Sequence, residues 1–314
     1  MEKAQWEVLS LVNKERVDAL NIPKKFMLFT SCTGSVEYPG TERAIKFNLE
    51  KLGYEVYETR DQTCCTGYLL TTDALDPTLA VLATGRNLSL AEKEGLAMAV
   101  FCNGCFGYNR ELNNLIQEVP GMRDTVNGVL KEFGREYKGN VQIFHVQELW
   151  YKEIERIRSM VVRPLTGLRV AAHYGCHYVA QKRVALDDYG YPTFHEEIYS
   201  ALGATPVSYN EKRACCGYSV AKAFTHREEV VLPHLAKKFQ SAVDEGVQLM
   251  TTVCPGCNVG LDREQPALRE MGVPTSIPVM DISQLIAFAL GAPVEILGFE
   301  MNTTPAMPVL EKYL

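Results

Sequence analysis

The chain has no excess of positive charge. Its 32 lysines and arginines stand against 38 aspartates and glutamates, a net charge of −6 with a pI near 5.6. The basic surface that nucleic acid or an anionic membrane requires is therefore missing. No apolar run approaches the roughly 20 residues of a membrane-spanning helix; "LIAFALGAPV", near the end, reads as a buried helix. The opening "MEKAQWEVLSLVNKERVDALNIPKK" lacks the charged-then-apolar pattern and cleavage site of a secretory leader. These absences point to a cytoplasmic protein with no nucleic-acid partner and no direct membrane span. The spaced glycines of "ATGRNLSLAEKEG" do not make a GxGxxG turn opening a helix, so no nucleotide site is assigned. There is also no ferredoxin-type run of four closely spaced cysteines.

What is present is cysteine, ten in 314 residues. In a cytoplasmic chain, metal or redox work explains them better than structural disulfides. They form two sets of five: Cys32, Cys64-Cys65 and Cys102-x-x-Cys105, then Cys176, Cys215-Cys216 and Cys254-x-x-Cys257. Neighbouring residues repeat with them, Tyr38-Pro39 as Tyr191-Pro192 and Leu52-Gly53 as Leu202-Gly203. The offset drifts from 144 at the first cysteine to 152 at the last, the mark of a duplicated domain with loop insertions.

Strand-length apolar runs lead into the cysteine segments: "KFMLFT", "YEVYET" and "AMAVF" in the first copy, "LRVAAH", "ATPVSY" and "VQLMTTV" in the second. Helical patterns such as "GTERAIKFNLEKLG" and "DPTLAVLATGRNLSLAEKEG" alternate with them. The expected fold is α/β: two duplicated Rossmann-like domains with mostly parallel sheets and metal sites at the C-terminal ends of the strands. We divide the chain into an N-terminal helical extension (1–25), a first cysteine-rich domain (26–146), a connecting helix (147–166), a second cysteine-rich domain (167–290) and a tail (291–314). Residues 1–24 read as an amphipathic helix, with Trp6, Leu9, Val12 and Leu20 available for one face that packs on its own domain or else makes a subunit contact. The tail reads as either a contact segment or disorder.

Adjacent cysteines are poor disulfide partners, because their Cα atoms lie about 3.8 Å apart where disulfides prefer roughly 5.5–6 Å. They suit a metal cluster, with Gly67 and Gly217 letting the backbone approach it. Each CxxC adds two sulfurs on one turn, a spacing shared by zinc and iron–sulfur sites. Structural zinc and a cubane cluster each use four ligands, so five thiols per copy exceed both. Iron–sulfur is the leading reading, ahead of zinc and of a thiol–disulfide relay. His173 and His177, bracketing Cys176, are candidates for a hydrogen bond to a cluster or for proton donation, or else they fix the loop. His145 reads as a core histidine. Asn103 and Gly104 shape the first CxxC turn, where amides can donate to sulfur.

The stretches "YPGTERA", "RNLSLAE", "FCNGCFG", "RVAAHYGCHY", "HEEIYSALGA", "ACCGY" and "PVMDISQLIAFALG", in register with the ten thiols, resemble the duplicated cysteine-rich (CCG-type) domain of the heterodisulfide reductase B-subunit. The resemblance runs from about residue 26 to 291. It implies one non-cubane [4Fe–4S] cluster on Cys32, Cys64, Cys65, Cys102 and Cys105, and another on Cys176, Cys215, Cys216, Cys254 and Cys257, with zinc in one site as the lesser alternative. It further implies two-electron reduction, or reverse formation, of a small-molecule or protein-bound disulfide between the clusters. The partners it implies are a ferredoxin-like C-subunit and a flavin-bearing A-subunit. Two departures stand out: Thr66 follows the first cysteine pair where the simple motif has glycine, and "CPGCNVGLD" places Gly256 and Asn258 beside the second site. The alternatives are the B-subunit of a sulfur-oxidising heterodisulfide reductase-like complex, and an electron-relay or accessory component of a succinate dehydrogenase-like complex.

Overall fold

A computed structural model describes residues 10–181, 186–218 and 225–314. The first sheet is built from β1 (Lys25–Phe29), β2 (Glu55–Tyr57), β3 (Ala97–Val100) and β4 (Ile143–His145). The second is built from β5 (Arg169–His173), β6 (Thr205–Pro206), β7 (Leu249–Thr252) and β8 (Val279–Asp281). Both are wholly parallel and share one topology, β2-β1-β3-β4 and β6-β5-β7-β8, so the fold is a duplicated Rossmann-like α/β arrangement. Strands β3 and β7 are buried along their whole length, as a sheet covered on both faces requires.

The two expected long helices form at Pro39–Lys51 and Pro77–Lys93. Asp76 starts the second, its side chain accepting from Thr78 N–H, with Pro77 at the first helical position. The apolar stretch near the end becomes the fully buried Ile282–Ala289 helix. The connecting segment is not one helix but two, Val146–Lys152 and Ile154–Ser159, broken at Glu153.

The two halves embrace reciprocally. The Pro39–Lys51 helix of the first half packs on Ile282–Ala289 of the second, where Asn48 Nδ2 donates to Ser283 O at 2.8 Å. In the mirrored position Phe194–Ala201 packs on Val146–Lys152, and His195 Nε2 meets Gln147 Oε1 at 2.9 Å. One hydrophobic core accordingly runs through β1, β3 and β5 and on into the Ile282–Ala289 helix.

Among the described residues of the N-terminal segment a helix covers Lys14–Ala19, capped by Asn13; Trp6 and Leu9 lie outside the described residues. Val12 is buried and Leu20 half-buried. Leu11 N–H and Asn13 N–H donate to Thr193 Oγ1 and Leu186 O of the second half, while Gln142 Nε2 of the first domain donates to Asn21 O at 3.0 Å, so this segment ties to its own domain and to the second half alike. The tail is ordered: Phe299, Ala306 and Leu310 are buried, and the Asp262 carboxylate accepts from Thr303 N–H at 2.7 Å and Thr304 N–H at 3.0 Å.

Candidate functional site

Each cysteine sits just beyond the C-terminal end of a strand, where loops in a parallel sheet converge. Cys32 and Cys176 open short helices after β1 and β5. Cys102 and Cys254 are the N-caps of the Asn103–Glu118 and Pro255–Arg263 helices after β3 and β7, with Cys105 and Cys257 in the first turns. A helix N-terminus favours the thiolate form.

The sulfurs make one continuous file. Neighbouring thiols act on one another's protonation in the order Cys32, Cys64, Cys65, Cys105, Cys102, then Cys254, Cys257, Cys216, Cys215, Cys176. The second half of that order is the reverse of the first, so a pseudo-twofold axis passes between Cys102 Sγ and Cys254 Sγ, which are 3.7 Å apart. All ten are free thiols; Cys32, Cys64 and Cys176 at the ends are exposed, while Cys102, Cys105 and Cys257 near the centre are buried.

Backbone amides point at these sulfurs in matching places. Thr66 N–H donates to Cys64 Sγ and Gly217 N–H to Cys215 Sγ, each at 3.3 Å. Gly104 N–H points across the axis at Cys254, so the expected amide at the first CxxC turn serves the other half's sulfur. The Asn103 side chain likewise crosses over, donating to Tyr174 O at 2.8 Å and latching the first CxxC to the loop that carries Cys176.

Crowding sets the protonation of the file. Hydrogen bonds from Cys105 and Cys64 hold Cys65 well below the usual thiol range, and those from Cys176 and Cys216 bring Cys215 to about 2. Their partners go the other way: a hydrogen bond to a neighbouring thiolate, then burial, pushes Cys105, Cys176 and Cys257 up. Thiolates this close cannot all ionise without a cation among them.

The two histidines that bracket Cys176 part company. His173 is buried, with neither ring nitrogen partnered, and it groups with Cys216 and Cys257, whose ligand atoms lie within 4.8 Å of one another and of its own. Burial pushes it down to about 3, so it is neutral. Half-buried His177 instead lies over the first CxxC helix, its ring 5.3 Å from that of Tyr108 and its Nδ1 beside Gly104. His145 is the expected core histidine; its Nδ1 accepts from Gln147 N–H as part of a capping box.

The glycine expectation needs one correction. Gly217 has φ +75°, but in the first half the left-handed position belongs to Thr66 at φ +61°, and Gly67 is helical. Gly67 is required for another reason: a Cβ there would lie 2.0 Å from the Tyr108 ring.

Sequence reasoning missed the residues that hold the two cysteine pairs from beneath. Asn87 bonds Thr63 N–H at 2.9 Å and Thr63 O at 3.1 Å. Lys238 donates to Glu211, Lys212 and Ala214 carbonyls at 2.7, 3.3 and 3.2 Å, and His234 Nε2 meets Cys215 O at 2.9 Å. Asn87 and Lys238 each stand eight residues before the glycine that ends their helix, Gly95 and Gly246, a register that was there to be read.

The donor set fits an iron–sulfur group in each half, with five sulfurs and amides aimed at them, and the second half adds buried polar groups with no protein partner at His173 and Asn258. Among the described residues no helix is long and apolar enough to cross a membrane.

Comparison with known proteins agrees. A family profile described as "Cysteine-rich domain" matches twice, at residues 26–108 and 170–262. The chain is 35% identical to the B-subunit of the ferredoxin/F420H2-dependent CoB–CoM heterodisulfide reductase of Methanosarcina acetivorans, over 92% of this chain and 96% of that one. It is 28% identical to the 8-methylmenaquinol:fumarate reductase membrane anchor subunit of Wolinella succinogenes, over 90% of this chain and 98% of that one. A crystal structure of a hypothetical protein from Helicobacter pylori shares the fold, with a TM-score of 0.70 at 14% identity over 91% of this chain and 53% of that one. The chain belongs to the heterodisulfide reductase B-subunit family, built on a duplicated cysteine-rich domain.

Proposed function

We propose that this chain is the catalytic subunit of a cytoplasmic heterodisulfide reductase-type complex, reducing a disulfide to two thiols. The observation that carries the reading is the ten-sulfur file, two five-cysteine sets meeting at Cys102 and Cys254. Cys32, Cys64, Cys65, Cys102 and Cys105 would hold one non-cubane [4Fe–4S] cluster, and Cys176, Cys215, Cys216, Cys254 and Cys257 the other. When bound, such clusters supply electrons one at a time, and two of them match the two electrons a disulfide takes up.

The chain's own groups do the rest. The helix N-termini at Cys102 and Cys254 offset negative charge at the centre of the file. Neutral His173, grouped with Cys216 and Cys257, would present an N–H to the second sulfur set, and half-buried His177 would be the candidate to hand a proton to a departing thiolate. A ferredoxin-like partner and a flavin-bearing partner would bring the electrons. The disulfide to try first is the CoB–CoM heterodisulfide named for the Methanosarcina relative.

The test is anaerobic oxidation of a reduced viologen by the iron-loaded chain. Wild type is expected to consume viologen only when the disulfide is present. Cys65→Ser should lose the first site's iron and Cys216→Ser the second's, each losing disulfide-dependent turnover while keeping the other site's spectrum. Fully loaded protein indifferent to every disulfide offered contradicts the catalytic role and leaves a relay.

A further inference from the structure

The pseudo-twofold symmetry of the sulfur file is broken directly beneath the two cysteine pairs. Under the first pair the loop is held by a neutral amide, Asn87, which both accepts from and donates to Thr63 and donates to Cys64 O at 3.4 Å. Under the second pair the same register position is Lys238, fully buried. Its Nζ faces three carbonyl oxygens, those of Glu211, Lys212 and Ala214. An ammonium has three N–H groups for those three acceptors, whereas a neutral amine has two and would turn a lone pair on the third oxygen. The Tyr209 ring lies 5.0 Å from Nζ, a further preference for the cation.

A buried cation without a counter-charge costs several kcal/mol, and none of the three acceptors is a carboxylate. Burial brings Lys238 down to about 7, opposed first by the sulfurs of Cys216 and Cys257 and then by the Glu211 carboxylate and Cys215. Lys212, another buried lysine of this half, has its own acid, Glu196. Lys238 therefore stands beneath the second sulfur set as a buried amine whose three carbonyl acceptors favour the ammonium, where the first set has the neutral Asn87.

We propose that Lys238 is a positioning residue that makes the two sites electrically unequal, so that the second site takes up an electron before the first. The step is a one-electron reduction by a low-potential one-electron donor, with no bond made or broken; the ammonium favours the more negative state. This rests on the iron–sulfur reading above and adds an order of filling to it.

The experiment is an anaerobic potentiometric titration, followed by electron paramagnetic resonance, of iron-loaded protein carrying Lys238→Gln or Lys238→Met. The Cys65→Ser and Cys216→Ser backgrounds isolate the second and first sites in turn. In the Cys65→Ser background each Lys238 variant is expected to lower the one-electron equilibrium constant of the second site at least tenfold, about 59 mV. In the Cys216→Ser background the first site should stay within twofold. A second site unmoved within twofold by both variants overturns the proposal. If both variants fail to load the second site, the unmodified Lys238 decides: Cys65→Ser protein should be reduced at a higher potential than Cys216→Ser protein, and equal or reversed potentials overturn the proposal. Wild-type protein that binds no iron would instead overturn the iron–sulfur reading itself.

Discussion

Gly175→Ala tests the latch between the halves. Gly175 has φ +70° and ψ 152°, a region open in practice only to glycine, so alanine there costs about 1–3 kcal/mol in backbone strain. The new Cβ would also lie 2.4 Å from Asn103 Nδ2, which is nearly fully buried. Asn103 must swing away, and Tyr174 O then loses its donor, a further cost of about 1–3 kcal/mol for a buried acceptor. The total is about 2–6 kcal/mol, read as a lower urea midpoint for the purified chain. Because Cys176 follows directly, second-site iron should fall while first-site iron is retained. Asn103→Ala alone should cost only the hydrogen-bond part. The double variant should cost less than the sum, because the clash and the bond share one side chain. A Gly175→Ala chain within about 0.5 kcal/mol of wild type, with both sites loaded, refutes the reasoning.

Thr66→Gly should stabilise the chain by about 1 kcal/mol, since a β-branched residue at φ +61° is strained and glycine is not; a lowered urea midpoint would show that the Thr66 Oγ1 bond to Cys65 O outweighs the strain. Glu148, pushed up by burial to about 7 from an ordinary 4.5, binds more protons in the native state than unfolded. Its contribution is complete below about pH 4.5 and fades as pH rises through 7, about 3 kcal/mol in all. Glu148→Gln should flatten the fall in stability over that window by up to about 1.4 kcal/mol per pH unit, and an unchanged slope contradicts this.

The fold was legible where apolar runs were long enough to carry a period. β1, β3, β5 and β7 and the Pro77–Lys93 helix fall inside the stretches read from the sequence, and the Pro39–Lys51 helix starts one residue before its stretch. The edge strands β4 and β8, three residues each, were not read as strands, and β6 shrinks to two residues at Pro206. The connecting helix broke at Glu153, whose carboxylate is taken by Tyr54 and Arg156. In the site, cysteine spacing and the duplication predicted which thiols would gather. What spacing could not convey was reach across the axis. Asn103 and Gly104 of the first half serve Tyr174 and Cys254 of the second, and of two histidines four residues apart, His173 joins Cys216 and Cys257 while His177 lies against Tyr108 of the first half. Those contacts come from the packing of one half on the other, which no local pattern encodes.

The central claim is that each half holds an iron–sulfur group on its five cysteines. Anomalous scattering at the iron and zinc edges from anaerobically grown crystals, paired with acid-labile sulfide analysis of the same preparation, tests it most directly. The account predicts two iron positions, one within the Cys32–Cys105 set and one within the Cys176–Cys257 set, with sulfide at both. Zinc at either position, or iron and sulfide near zero, would contradict it.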